Sequence, residues 1–115
     1  MINKTLEMEL LSGNRWIKDV TNLGIKAKCI DFYDTWRGRT HNNLKVDEMY
    51  KITHIYMTTD ITYLYLDGVE GDFNSRCFEF YLNNKKHDIS SDERCWSDAL
   101  IERHRRLKML AEKRI

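Results

Sequence analysis

There is no proline in the 115 residues, and the five glycines are scattered singly. No proline-, glycine- or serine-rich linker therefore divides the chain, and a single domain over residues 1–115 is expected, with a core of moderate size. No apolar run approaches the roughly 18–20 residues that a membrane helix needs, so no membrane partner is expected. The first residues lack a basic stretch followed by an apolar core, which argues against a secretory leader. Three cysteines, Cys29, Cys77 and Cys95, are too few and too scattered for a disulfide framework. A reducing, cytoplasmic setting follows as the expectation, the host cytoplasm if the chain is viral.

Strong charge of one sign is also missing, since the formal net charge is +1. The distribution is uneven all the same. Residues 47–90 carry four Lys or Arg against eight Asp or Glu, whereas residues 103–115 carry six basic residues and one acid. A basic patch at one end is implied, and a strongly nucleic-acid-like balance is not.

What the chain does have is alternation. Met49–Met57 is rich in β-branched and aromatic residues, with Met49, Ile55 and Met57 on one face and Tyr50, Ile52 and Tyr56 on the other, so both faces are expected to be covered. Ile61–Leu66 repeats the pattern after a short polar link, which favours an antiparallel hairpin. Asp67-Gly68 breaks that strand, and an acidic loop through Asp72 leads to a third run, Cys77–Tyr81. Three such strands still need a cover.

Around this centre, residues 1–12 combine strong helix formers with the alternation of Leu6, Met8 and Leu10; a short helix is favoured over a strand. Thr21-Asn22-Leu23-Gly24 is a turn signal, and Ile25–Tyr33 reads as a strand whose alternation slips at Cys29-Ile30, marking a bulge or bend. Tyr33–Asn43, containing Trp36-Arg37-Gly38-Arg39, is the longest expected loop and the first candidate for binding. Ser90-x-x-Glu93 matches a capping box, and a helix is predicted over about 91–113. Trp96, Leu100, Leu107 and Leu110 share one of its faces and are expected to cover the strands. Positions 96, 100, 103, 107, 110 and 114 also fit a heptad seam that could pair two chains as a homodimer.

The order of strand, long polar-aromatic loop, hairpin, acidic glycine turn and short strand over residues 25–81 resembles a small SH3-like (Src-homology-type) β-barrel. Leu44-Lys-Val-Asp-Glu-Met49-Tyr50-Lys-Ile52 and Phe73-Asn-Ser-Arg-Cys-Phe78-Glu are similar to patterns in small phage-encoded proteins of that type. The resemblance implies a binding module and not an enzyme, with Tyr33, Trp36 and Tyr50 near an aromatic groove lined by the long loop.

The chemistry-bearing residues support no sharper motif. Four histidines and three cysteines show no ligand spacing, so neither a metal nor another cofactor is expected. Asp67, Glu70 and Asp72 do not follow the calcium-loop pattern and read as a solvated turn. The cysteines sit in apolar contexts that suit buried, inert thiols, and no phosphate loop or nucleophile elbow occurs. The fold class is α+β: a small antiparallel SH3-like barrel or bent sheet (core about 25–81) with a C-terminal amphipathic helix. The function expected is non-catalytic binding by a phage accessory or anti-defence factor that takes over a host protein by occupying a surface, through Tyr33, Trp36, Arg37, Arg39 and Tyr50. The alternative is a nucleic-acid-binding module using Trp36, Arg37, Arg39, Arg103, Arg105, Arg106 and Lys108.

Overall fold

A computed structural model describes residues 3–113. Helix α1 (Lys4–Leu11) comes first, capped by Asn3, whose side chain accepts from the Leu6 amide. Nine strands follow: β1 (Ile17–Asp19), β2 (Lys26–Cys29), β3 (Tyr33–Asp34), β4 (Arg39–Thr40), β5 (Met49–Met57), β6 (Thr62–Leu66), β7 (Val69–Asn74), β8 (Phe78–Leu82) and β9 (Lys85–Lys86). Helix α2 (Asp98–Glu112) is the last element among the described residues. The architecture is α+β, with an antiparallel sheet ordered β7-β6-β5-β2-β8-β9. Its ends, β7 and β9, are not paired with each other, so the sheet does not close into a barrel.

Strand β5 is the spine, because one of its edges carries two partners in succession. Its first half pairs with β2 (Lys26↔Lys51) and its second with β1 (Ile17↔Tyr56). Between β1 and β2 the chain leaves the ladder through a 3-10 turn at Thr21–Leu23 that closes on Gly24 at φ +73°, the left-handed region where a side chain is strained. On the other edge, β5 pairs with β6 through Ile52↔Leu66 and then His54↔Tyr65, which leaves Thr53 as an extra residue.

That bulge corrects the expected two-faced strand. One extra residue inverts the alternation, so Ile52 before it and Ile55 and Met57 after it all enter the same core. There they join Ile25, Ala27, Leu64, Leu66, Phe73 and Phe78. The slip anticipated at Cys29-Ile30 is also real: β2 ends at Cys29, and the backbone amides of Ile30 and Asp31 turn to the Cys77 carbonyl.

The stretch after Gly68 is a strand, β7, and not an acidic loop. Its pairing with β6 is irregular between Leu64↔Phe73 and Leu66↔Val69, which turns Glu70 and Asp72 to separate tasks. The Glu70 carboxylate accepts from the Lys4 and Thr5 amides and the Thr5 hydroxyl, anchoring the first turn of α1. Asp72 faces the hairpin β3–β4.

The C-terminal helix starts later than its sequence suggests and covers less. Asp88 and Asp92, not Ser90, act as caps, each closing a short 3-10 turn by accepting from the amide two residues on. Ser97 then caps α2 by accepting from the Leu100 amide. Only Ala99 and Leu100 of α2 are buried, and Leu107 and Leu110 are 46% and 57% exposed. Of the stripe expected to cover the strands, Trp96 and Leu100 pack on the core and Leu107 and Leu110 do not; Arg114 of the heptad seam lies outside the described residues. Among the described residues, no helix is long and apolar enough to cross a membrane.

Because Ile55 is fully buried directly after the bulge, Ile55→Ala is expected to lower stability by about 2–5 kcal/mol. Met8→Ala, on the exposed side of α1, should change little. Urea unfolding of both variants checks the contrast, and a near-neutral Ile55→Ala would contradict this placement of the core.

Candidate functional site

The long loop between β2 and β5 is shaped by one carboxylate. Asp34 ends β3 with 1% of its side chain exposed. Its Oδ1 accepts from the amides of Trp36 and Arg37 and from Asn74 Nδ2, and its Oδ2 accepts from Arg37 Nε at 2.6 Å. The two amide bonds fold Thr35–Gly38 into a tight turn, with Gly38 at φ +64° leading into β4.

Arg37 is spent inside this lattice. Its Nη1 and Nη2 donate to the Asp72 carboxylate and carbonyl at 3.1 and 3.0 Å, and its guanidinium lies 4.4 Å from the centre of the Tyr63 ring. Arg39, half exposed, adds a 2.9 Å bond to the same Asp72 carboxylate. Asp72 is therefore the far post of the lattice, which corrects its reading as part of a solvated turn. Burial alone would raise the Asp34 carboxyl, but the hydrogen bonds and charge of Arg37 and the Asn74 amide outweigh it and hold the group below the ordinary carboxylate value.

His41 completes the underside, its ring set edge-on to Phe73 at 4.9 Å. Its Nε2 is buried without a hydrogen-bond partner and lies 4.0 Å from Asp34 Oδ2. Burial, reinforced by Arg39 and Arg37, pushes the imidazole below its usual range, so it sits in the fold neutral. His54, partly buried on β5, is lowered by burial too.

Above the lattice, Trp36 is left 64% exposed at the tip of the turn. The Arg76 guanidinium lies 5.9 Å from its ring centre, and a cleft of about 100 Å³ beside it is lined by Asp60, Ile61, Thr62, Asn74 and Ser75. Tyr33 is 44% exposed at the start of the hairpin. Tyr50 sits elsewhere: it lies at the beginning of β5 with its hydroxyl accepting from the Lys45 amide, whereas the Trp36 cleft adjoins the turn beyond the other end of that strand. The structure does not bring Tyr50 and Trp36 into one groove.

The basic residues of the alternative site are on α2. Arg105 and Arg106 both pair with Glu102, and Arg103 and Arg106 line a groove against Arg15 and Trp16. Sequence reasoning missed Asp34, Asp72, Asn74 and Arg76; the signal for the first was Asp34-x-x-Arg37-Gly38, an aspartate placed to cap a turn closed by glycine. All three cysteines are buried, and burial pushes the Cys77 and Cys95 thiols up to about 11 and about 12. Among the described residues, no group of three or more His, Cys, Asp or Glu could hold a metal ion.

An antiparallel sheet carrying an aromatic hairpin and a C-terminal helix defines a small α+β protein. Residues 33–99, more than half of the chain, match the model of the bacteriophage T4 protein Y07B family. The chain belongs to this family and is a phage protein, and the matched segment contains the whole lattice from Asp34 to Asn74. Neither the curated proteins nor the solved structures yielded a match.

Removing the central carboxylate takes the acceptor from Arg37 Nε, two backbone amides and Asn74 and leaves Arg37 with Asp72 alone, so Asp34→Ala is expected to cost about 3 kcal/mol in urea unfolding. An effect near zero would mean that the lattice carries no stability. The histidines give a pH signature. A group whose folded pKa is depressed stabilises the fold above its unfolded value and loses that contribution as pH falls through the folded one. For His41 and His54 the loss begins below the ordinary value of 6.5. The melting temperature should therefore drop between about pH 7 and about pH 5, and the drop should shrink in His41→Gln/His54→Gln; an unchanged slope would assign it to other groups.

Proposed function

We propose that this phage protein is a non-catalytic accessory factor that acts in the host cytoplasm by occupying the surface of a host or defence protein, with the Trp36 hairpin as its principal contact. The observation that carries the reading is a large aromatic side chain held in solvent by a backbone that is fixed from beneath. Exposing an indole costs a monomer favourable burial, while a rigid tip spends little entropy on docking, and this is the profile of an interface anchor. Tyr33 extends the contact and Arg39 adds a half-exposed cation at its edge. The strand order, with a 3-10 turn between β7 and β8, supports the likeness to SH3-like binding modules without a closed barrel. Arg37 supports the site as its scaffold, because its donors are already engaged.

The engagement of Arg37 with Asp34 and Asp72, and of Arg105 and Arg106 with Glu102, favours this reading over nucleic-acid binding, since those guanidinium groups already have anionic partners. Tagged wild-type chain and Trp36→Ala, offered nuclease-treated host lysate, are expected to differ by a discrete host protein whose capture weakens about tenfold or more in the variant. Recovery of nuclease-sensitive material alone, falling steeply with salt, would replace the proposal with the nucleic-acid reading. Equal capture by both chains would move the site away from Trp36.

A further inference from the structure

The projecting helix α2 leaves a second surface that the Trp36 hairpin does not explain. Its first turn is fixed to the body through Ala99 and Leu100, and His104 stacks on Trp96 at 4.5 Å with the rings 15° apart. On the adjoining face, Ala99, Glu102, Arg103, Arg106, Leu107 and Leu110 recur at helical spacing and look across a groove of about 460 Å³ to Arg15 and Trp16. Trp16 is partly packed on the core, so one wall is fixed.

We propose that this groove is the docking site for an acidic amphipathic helix of a partner protein. Its apolar floor, Trp16, Leu107 and Leu110, matches the stripe such a helix presents, and its rim carries Arg15 and Arg103, with Arg106 shared with Glu102. The single acid, Glu102, already accepts from Arg105 and Arg106. Charge complementarity therefore selects an occupant that is negative beside its apolar stripe. A second copy docked through the same face would set Arg103 and Arg106 against their own counterparts. A flat anionic membrane fits poorly, because Ile101 and Met109, both about half exposed, project from other sides of α2 and form no common face with Leu107 and Leu110. Nucleic acid would use the arginines and leave the leucines wet.

The test uses the full chain and fluorescence anisotropy with a labelled synthetic peptide about four turns long, with leucines at helical i, i+3/i+4, i+7 spacing and glutamates elsewhere. Expected is binding at least about tenfold tighter than to a scrambled peptide of the same composition, weakened about tenfold by Arg103→Gln/Arg106→Gln and by Leu107→Ser/Leu110→Ser. These side chains are exposed, and circular dichroism confirms that each variant keeps its helix. Trp36→Ala should bind the peptide as wild type does, which separates this surface from the hairpin. Equal binding of the scrambled peptide, no binding at all, or tighter binding of an oligothymidylate or of phosphatidylserine vesicles would overturn the proposal. So would a dimer in sedimentation that Leu107→Ser/Leu110→Ser dissolves.

Discussion

A carboxylate withdrawn from water has to be answered by donors, and the need to answer Asp34 organises one whole side of this protein. Four hydrogen bonds reach its two oxygens, from two backbone amides, a guanidinium and an amide side chain. Each donor fixes a different piece of chain. The amides set the turn, Arg37 reaches across to Asp72 in β7, and Asn74 ties in the approach to β8. The cost of burying a charge is recovered only when every lone pair is used in good geometry, so the lattice tolerates one arrangement of the hairpin and few others. Specificity of shape is the return, and Trp36 is its visible result.

The bulge at Thr53 is the second constraint, and it shows why strands were easier to find than faces. The span of β5 is legible from Met49–Met57 because β-branched and aromatic residues alternate over nine positions. What the residues do not reveal is that Thr53 is surplus. A bulge leaves composition and periodicity intact on both sides and merely swaps their phase, so Ile52 and Ile55 look opposed in sequence and meet in the core. The same blindness hid β7: Val69-Glu70-Gly71-Asp72 reads as turn chemistry, yet the acids there are consumed by α1 and by Arg37. Long-range partners, absent from any local window, decided both cases.

Helix α2 is legible in the sequence, but its start and the surface it covers are not, for a different reason. Its amphipathic stripe is genuine, and its start was displaced because Asp88 and Asp92 outcompete Ser90 for the local amides. A stripe states only that one face avoids water, not which surface covers it. The chain's own core takes up only the Trp96 and Leu100 end of that stripe and leaves Leu107 and Leu110 exposed. Of the site, the exposure of Trp36 and its turn were within reach of the sequence; the conversion of Arg37 from contact to scaffold was not, because Asp72 lies 35 residues away.

The two exposed surfaces differ in how they would spend binding energy. The hairpin is ordered before any partner arrives, so Trp36 can deliver most of its buried area as affinity. Helix α2 beyond its docked turn is held by its own backbone bonds, the stacking of His104 on Trp96 and the Glu102 pairs with Arg105 and Arg106, and short helices with little tertiary packing are marginal in water. An occupant of the Trp16 groove would have to order that segment as it bound, giving up part of its interaction energy and gaining dependence on the occupant's own helicity. A rigid contact suits a fixed surface patch, and a compliant basic groove suits a segment that folds as it docks. The two surfaces would thus differ in kind, the Trp36 hairpin secured by a buried charge and the α2 groove left open by a helix that the core takes up only at its first turn.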